Sequence, residues 1–397
     1  MAVTVDSGAQ ATDDPLSNDL AVAMDEQVAN QDVDTSQFST MVMRMPVEQA
    51  RSFKEEWMED QYLPKNTALS VSAASADTAL SITTSEGAYA KVGDIGLFVE
   101  TGEKFRITTG GASAWTVVRA IGGTAAATAA SGTGSGGIIL ISGSNEQGGT
   151  MPTSLVTEKT ANYNYTSTIR NSYEFTEDAQ WVGWYSGNPL AYHRQKIAVE
   201  HKREIENTLF LGARSYTAGT THPRTTCGGL HEFISTNITN AAGTFDKGEL
   251  QDFLRSGFEY GSKRKVLFAA PIVAQVCSEF LQDNWVRATP GENVFGVKVD
   301  FVISGVTGAK VPVFVKNDWK RYGEGSGKQL GSSAYLVDLE NVSLRKAKPG
   351  KRGPRWLTLY PNIQARDKDS TAEEYLSQFT FIPKVEKSHA LLQGVTG

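Results

Sequence analysis

Cysteine is nearly absent: among 397 residues only Cys227 and Cys277 carry a thiol, fifty positions apart. That spacing excludes a disulfide framework and a metal knuckle, and fits two reduced thiols in a cytoplasmic product. No run of eighteen apolar residues occurs, so no membrane-spanning helix is expected. The opening MAVTVDSGAQATDDP lacks the basic and apolar regions of a secretory leader. Residues 1–43 contain no Lys or Arg against eight acids: Asp6, Asp13, Asp14, Asp19, Asp25, Glu26, Asp32 and Asp34. Between Glu340 and Asp367 the lack is reversed. No acid occurs there, while Arg345, Lys346, Lys348, Lys351, Arg352, Arg355 and Arg366 do. Such asymmetry marks an interacting tail or strip. The net charge of −6 argues against a dedicated nucleic-acid binder.

Catalytic motifs are missing as well. GTGSGG (Gly132, Gly134, Gly137) has glycine spacing suited to a dinucleotide, but an Ala/Thr tract precedes it and the strand IILIS follows. A phosphate site needs a strand before and a helix after. GEGSGKQ has Tyr322 and Gln329 where a phosphate loop requires Gly and Ser or Thr. HEFIS places Ser235 where a second zinc-binding histidine would stand, and no G-x-S-x-G elbow occurs. An enzyme, a metal site and a cofactor site are therefore not expected.

What is present is a sequence of contrasting segments. Residues 1–66 form an arm. Its first 43 residues are too polar to order themselves alone, and PVEQARSFKEEWMEDQYL follows as an amphipathic acidic helix, with Val47, Ala50, Phe53 and Trp57 at helical spacing. Residues 67–150 are rich in Gly, Ser, Thr and Ala and carry short β-like runs, which indicates a small all-β domain. Its tract 120–137 has one large side chain, Ile121, and reads as a flexible or closely approached loop. Residues 151–182 read as long strands, a kind of segment that often protrudes as a ribbon. Residues 188–244 open with a long helix, capped by Asn188-Pro189 and closed by Gly212. Residues 245–345 alternate helices and strands as an α+β domain on a mainly antiparallel sheet. Residues 346–397 return as strands.

The long helix, AYHRQKIAVEHKREIENTLFLG, has an unusually dilute apolar stripe. Leu190, Ala191, Ile197, Ala198, Ile205 and Leu209 share a face with Arg194 and His201, while Tyr192, Val199 and Phe210 lie opposite. A helix with two modest stripes touches protein on both sides, as a beam across a plate does.

The order of these segments resembles the major capsid protein of tailed bacteriophages with the Hong Kong 97 fold. VGDIGLFVETGEKFRITT with TVVRAIGGTAAATAASG, the long helix, VLFAAPIVAQVCSEF and FTFIPKVEKSHALLQGV resemble the capsid family typified by Escherichia phage SU-ten. The resemblance implies a structural protein that self-assembles into an icosahedral shell of hexamers and pentamers enclosing double-stranded DNA, with no sequence-specific DNA binding and no membrane. It makes the long helix the spine of a peripheral domain (188–244 and 346–397), residues 245–345 an axial domain, and 151–187 an extended loop. The β domain at 67–150 is an insertion beyond the minimal fold. Portal and scaffolding proteins are the implied partners, a decoration protein is left open, and assembly is expected in the host cytoplasm. An alternative is a surface-layer or adhesion-type structural protein, suggested by the β domain and its Gly/Thr loops.

The charge extremes supply candidate contacts between subunits. The arm acids Asp13, Asp14, Asp19, Asp25 and Glu26 are expected to cross to another copy and lie near Arg345, Lys346, Lys348, Lys351, Arg352 and Arg355. The competing expectation turns that strip toward packaged DNA. Arg194 and His201, polar groups on the best face of the helix, complete the candidates.

Overall fold

A computed structural model of the chain describes residues 37–396, apart from 46, 84–85, 133–136, 153, 183–187, 220–221, 282–292, 295–296, 299–300, 305–309 and 326–328. The arm acids Asp13, Asp14, Asp19, Asp25 and Glu26, and Gly134 of the glycine tract, lie outside the described residues. The protein is a mixed α+β chain of two compact units: Met58–Asn162, and Met1–Trp57 together with Tyr163–Gly397.

The smaller unit carries a six-stranded antiparallel sheet. Its order is Asn66–Ala68, Gly137–Gly143, Asp94–Phe98, Lys104–Gly110, Ala114–Val118, Ala79–Ser81. Alternation builds its core: Phe105 and Ile107 on one strand, and Trp115 and Val117 on the next, point inward while their neighbours face out. They meet Leu80, Phe98 and Ile138. The tract after Val118 is closely approached. Ala129 is fully buried and bridges Ala73, and Arg119 and Glu103 hold the backbone between them.

The stretch 47–63, where the chain passes from the larger unit to the smaller at Met58, is not the expected helix. Lys54–Glu59 is a strand paired with Thr160–Tyr165. Glu55 and Trp57 alternate inward: Trp57 packs on Phe233 with ring centroids 5.8 Å apart, and Glu55 accepts hydrogen bonds from the backbone N–H of Arg51 and Ser52. Pairing across the chain overrides the helical spacing. The helix of this region comes earlier, at Gln37–Arg44, inside the tract expected to lack order of its own. It buries Phe38, Met41 and Val42, an i, i+3, i+4 face, in the main core.

The expected ribbon is only partly a ribbon. Thr160–Tyr165 pairs with Lys54–Glu59, but Ser167–Thr176 is bonded at ten positions to the long strand Ser370–Pro383. That ladder is part of a five-stranded sheet, ordered Glu48–Gln49, Val342–Lys346, Ser370–Pro383, Ser167–Thr176, with Thr358–Tyr360 also paired to Ser370–Pro383. Pairing with Ser370–Pro383, beneath the long helix, keeps Ser167–Thr176 from protruding.

A second, six-stranded sheet runs Ile238–Gly243, Ala390–Val395, Ala334–Asp338, Lys265–Ala269, Lys310–Val315, Phe301–Ser304. Three of its five pairings are antiparallel. The helices Lys247–Gly257 and Pro271–Leu281 accompany it, the first opened by an Asp246–Glu249 capping box. The two sheets trade strands across the expected boundary at 345. Val342–Lys346 joins the five-stranded sheet, and Ala390–Val395 joins the six-stranded one. One apolar core runs through both, from Phe38 and Phe210 to Phe268, Phe381 and Leu391. Both cysteines are buried in it, and burial pushes each thiol up to about 12.

Candidate assembly surface

The long helix forms as Pro189–Leu211. The Asn188 side chain accepts from the N–H of Leu190 and Ala191, Pro189 occupies the first turn, and Gly212 donates to the Thr208 carbonyl at the other end. It lies across the ladder of Ser167–Thr176 and Ser370–Pro383, and its polar interruptions are the contacts. Arg194 grips Glu373 with two N–H groups, Nε to Oε2 at 3.0 Å and Nη2 to Oε1 at 2.6 Å. Tyr173 donates its hydroxyl to the same carboxylate. Burial disfavours the Glu373 charge, but these donors outweigh it and hold the carboxyl below its ordinary range. Burial and the neighbouring carboxylate push the Tyr173 phenol up to about 12. His201 is buried, with Nδ1 against Asn171 Oδ1 and Nε2 2.7 Å from Ser377 Oγ. Arg194 and His201, expected at contacts between subunits, are thus engaged within their own chain.

Phe210, on the opposite stripe, packs edge-on to Trp319 at 5.0 Å and tilted on Phe38 at 4.8 Å. One turn earlier, Glu206 is 1 % exposed and does three things at once. Oε1 accepts from Phe38 N at 2.9 Å and from Lys316 Nζ at 2.7 Å, and Oε2 accepts from Ser39 N at 2.6 Å. A carboxylate here serves as the cap for the helix Gln37–Arg44, where the dipole favours negative charge. Nothing in the local sequence marks Glu206 for this role.

Burial pushes the His201 imidazole down to about 4. The unfolded chain binds that proton below about pH 6.5, while the folded one resists until about pH 4. Stability is therefore full above pH 6.5 and falls as pH drops toward 4, by up to about 3 kcal/mol. Buried His389, also pushed down to about 4, acts in the same direction. Urea midpoints at pH 7 and 4.5 are expected to differ, and His201→Gln should reduce the difference. An unchanged difference in that variant would remove His201 as a cause.

The other face of the same ladder is basic. Residues opposite one another in a ladder share a face, and faces alternate along each strand. Asn171, Tyr173, Glu373, Tyr375 and Ser377 meet the long helix. Thr168, Arg170, Glu374, Leu376 and Gln378 therefore face away from it, and they line a pocket of about 840 Å³. Its rim is a tight turn in which Gly350 and Gly353 exchange both backbone hydrogen bonds, with Lys351 and Arg352 at the tip. Gly353 has φ 122°, a conformation side chains rarely adopt. A Cβ on Gly350 would lie 2.9 Å from the Arg355 guanidinium, so that glycine lets Arg355 fold back over the turn. Arg355 then reaches Gln378 Oε1 at 2.9 Å, and its carbonyl accepts from Gln378 N.

The strip 345–355 is therefore divided. Arg345 is turned to Glu48, at 3.0 Å, and to Glu55. Lys346 lies over the Trp356 ring at 5.7 Å. Lys348, Lys351 and Arg352 are exposed, and none of the three has a hydrogen bond or ion pair among the described residues. Among those residues no group of three or more His, Cys, Asp or Glu could hold a metal ion, and no helix is long and apolar enough to cross a membrane.

A sequence search among curated proteins finds no match. Among solved structures, the Cyanophage A-1(L) capsid subunit is similar in fold, with 11% identity and a TM-score of 0.53 over 96% of this chain and 98% of that one. The capsid subunit of a native GTA particle is similar at 7% identity and a TM-score of 0.50, over 96% of this chain and 97% of that one. The family model of the SU10 major capsid protein matches residues 7–396. A match over nearly the whole length, on a fold shared with capsid subunits, places the chain in the SU10 major capsid protein family, as a structural component of a tailed-phage shell.

Proposed function

We propose that copies of this chain close into an icosahedral shell of hexamers and pentamers around double-stranded DNA, in a Hong Kong 97-type arrangement. The long helix Pro189–Leu211 is the spine of a peripheral domain, and the six-stranded sheet of the larger unit is the body of an axial domain. The unit Met58–Asn162 is an insertion beyond the minimal fold. The observation that carries this reading is the family match, supported by a long helix clamped by protein on both sides. The role is geometric rather than catalytic. Each exposed contact contributes about 0–1 kcal/mol, and identical heterologous contacts repeated by symmetry supply the strength of a closed particle. Portal and scaffolding proteins are the partners for initiating and shaping the shell, with room for a decoration protein, and assembly takes place in the host cytoplasm.

Electron microscopy of the purified protein tests the reading. Closed shells are expected. An open sheet-like lattice would favour a surface-layer protein instead, and small soluble particles under all assembly conditions would overturn the proposal.

A further inference from the structure

We infer that the basic pocket behind the long helix receives the acidic N-terminal segment of a neighbouring copy, an inference that rests on the shell reading. Residues 1–36 contain eight acids and no Lys or Arg. Without those eight, 36 acids stand against 38 cations, a balance of +2 for the rest of the chain. The excess negative charge of each subunit therefore sits in one segment, and among the described residues no carboxylate pairs with Lys351 or Arg352.

Geometry selects a neighbour over the same chain. The segment joins the described structure at Gln37, where Glu206 of the long helix holds the helix start. That junction lies on the helix-covered side of the ladder, since Phe38 packs on Phe210 and on Phe381. Phe381 is two and four residues on from Phe379 and Ser377, and alternation gives all three the same face. The pocket opens on the other face, through Arg170 and Gln378. A segment of one chain would have to round a sheet edge to reach its own pocket. Thirty-six residues span at most roughly 120 Å when extended, so reach does not confine the segment to its own chain.

Chemistry selects a peptide over a nucleic-acid duplex. Arg345 shows the strip's preference within the chain, taking two carboxylates, Glu48 and Glu55. The pocket is also concave and contains a carboxylate: Glu374 sits in its wall, nearly buried, 3.6 Å from Arg170. A row of phosphates laid on a surface would meet Lys351 and Arg352 but could not enter beside Glu374. An extended chain can, placing its acids on the Lys351–Arg352 tip and on Arg170. Exposed charges are screened beyond about 8–10 Å at physiological salt, so the contact must be direct.

Cross-linking in assembled shells tests this. Asp14→Cys is placed in one tagged copy and Arg352→Cys in a differently tagged copy, and the two are co-assembled. The native thiols are buried and stay silent. Disulfides between the two tags are expected. Disulfides only when both cysteines share a chain would overturn the neighbour assignment. No disulfide would overturn the proposal, and protection of Arg352 in wild-type shells from arginine reagents only when they are DNA-filled would give the pocket to nucleic acid. A charge swap keeps the result independent of folding. Lys351→Glu with Arg352→Glu should lower shell yield about tenfold at low salt, and Asp13→Lys with Asp14→Lys should restore it. A loss that the second pair does not restore would count against the pairing. Wild-type particles in the same grids separate failure of this inference from failure of the shell reading.

Discussion

Replacing Glu206 by alanine is expected to cost the larger unit about 3–5 kcal/mol, because it takes one carboxylate away from a buried ammonium and two backbone donors at once. Lys316 is fully buried, and its Nζ sits 2.7 Å from the carboxylate. The N–H groups of Phe38 and Ser39 would lose this carboxylate as their cap, loosening the helix Gln37–Arg44 from the core. The damage should be ordered: Glu206→Gln keeps an acceptor and should cost less than Glu206→Ala. Adding Lys316→Met to Glu206→Ala should recover part of the loss, since removing both charges avoids an unpaired one. Urea unfolding measures the cost, and limited proteolysis near Met41 reports release of the helix. An alanine variant within about 1 kcal/mol of the native protein, with Met41 still protected, would show that apolar contacts alone hold that helix.

The second large effect belongs to the smaller unit. Its tract 120–131 has almost no side chain to bury, so a polar network holds it. Glu103, fully buried, accepts from Arg119 Nε at 2.9 Å and Nη2 at 2.5 Å, and from the N–H of Ala120 and Ala127 at 3.2 and 3.0 Å. Burial opposes its charge, yet these donors hold its carboxyl below the ordinary range. Arg119 in turn donates to the carbonyls of Ala74 and Ala127. Glu103→Ala should therefore cost about 3–5 kcal/mol, as loss of one partner of a buried pair does. Hydrogen exchange should show the amides of Ala127 and Ala129 losing protection while the larger unit keeps its own. Retained protection at those amides would mean that close packing at Ala129 and Ala73 suffices. Arg119→Met alone should be nearly as damaging, and the double change should cost less than the sum.

The parts of the fold that were readable in the sequence are those governed by local rules. Asn188-Pro189 and Gly212 bound the long helix because caps act within a turn. Long-range pairing was not readable. Val47, Ala50, Phe53 and Trp57 have helical spacing, yet Lys54–Glu59 is a strand because Thr160–Tyr165, a hundred residues away, pairs with it. Phe38, Met41 and Val42 carry a helical signal that the acidic composition around them obscured. At the site, Arg194 and His201 were visible as anomalies, but their partners Glu373 and Ser377 lie more than 170 residues on. The basic strip was visible as a run of like charge. Its division was not, because whether a cation turns to Glu55 or to solvent depends on the Gly350–Gly353 turn and on where Gln378 anchors it.

The ten-position ladder between Ser167–Thr176 and Ser370–Pro383 also decides how the subunit bears load. In an antiparallel pair the hydrogen bonds run across the strands. A pull along the strands therefore strains all the rungs together in shear, whereas a pull across them opens one rung at a time, like a zipper. With the long helix fastened to one side through Arg194 and His201, the ladder is braced against peeling. Tension directed along it, such as an inflated container imposes on its wall, meets the ladder in its stiffer direction.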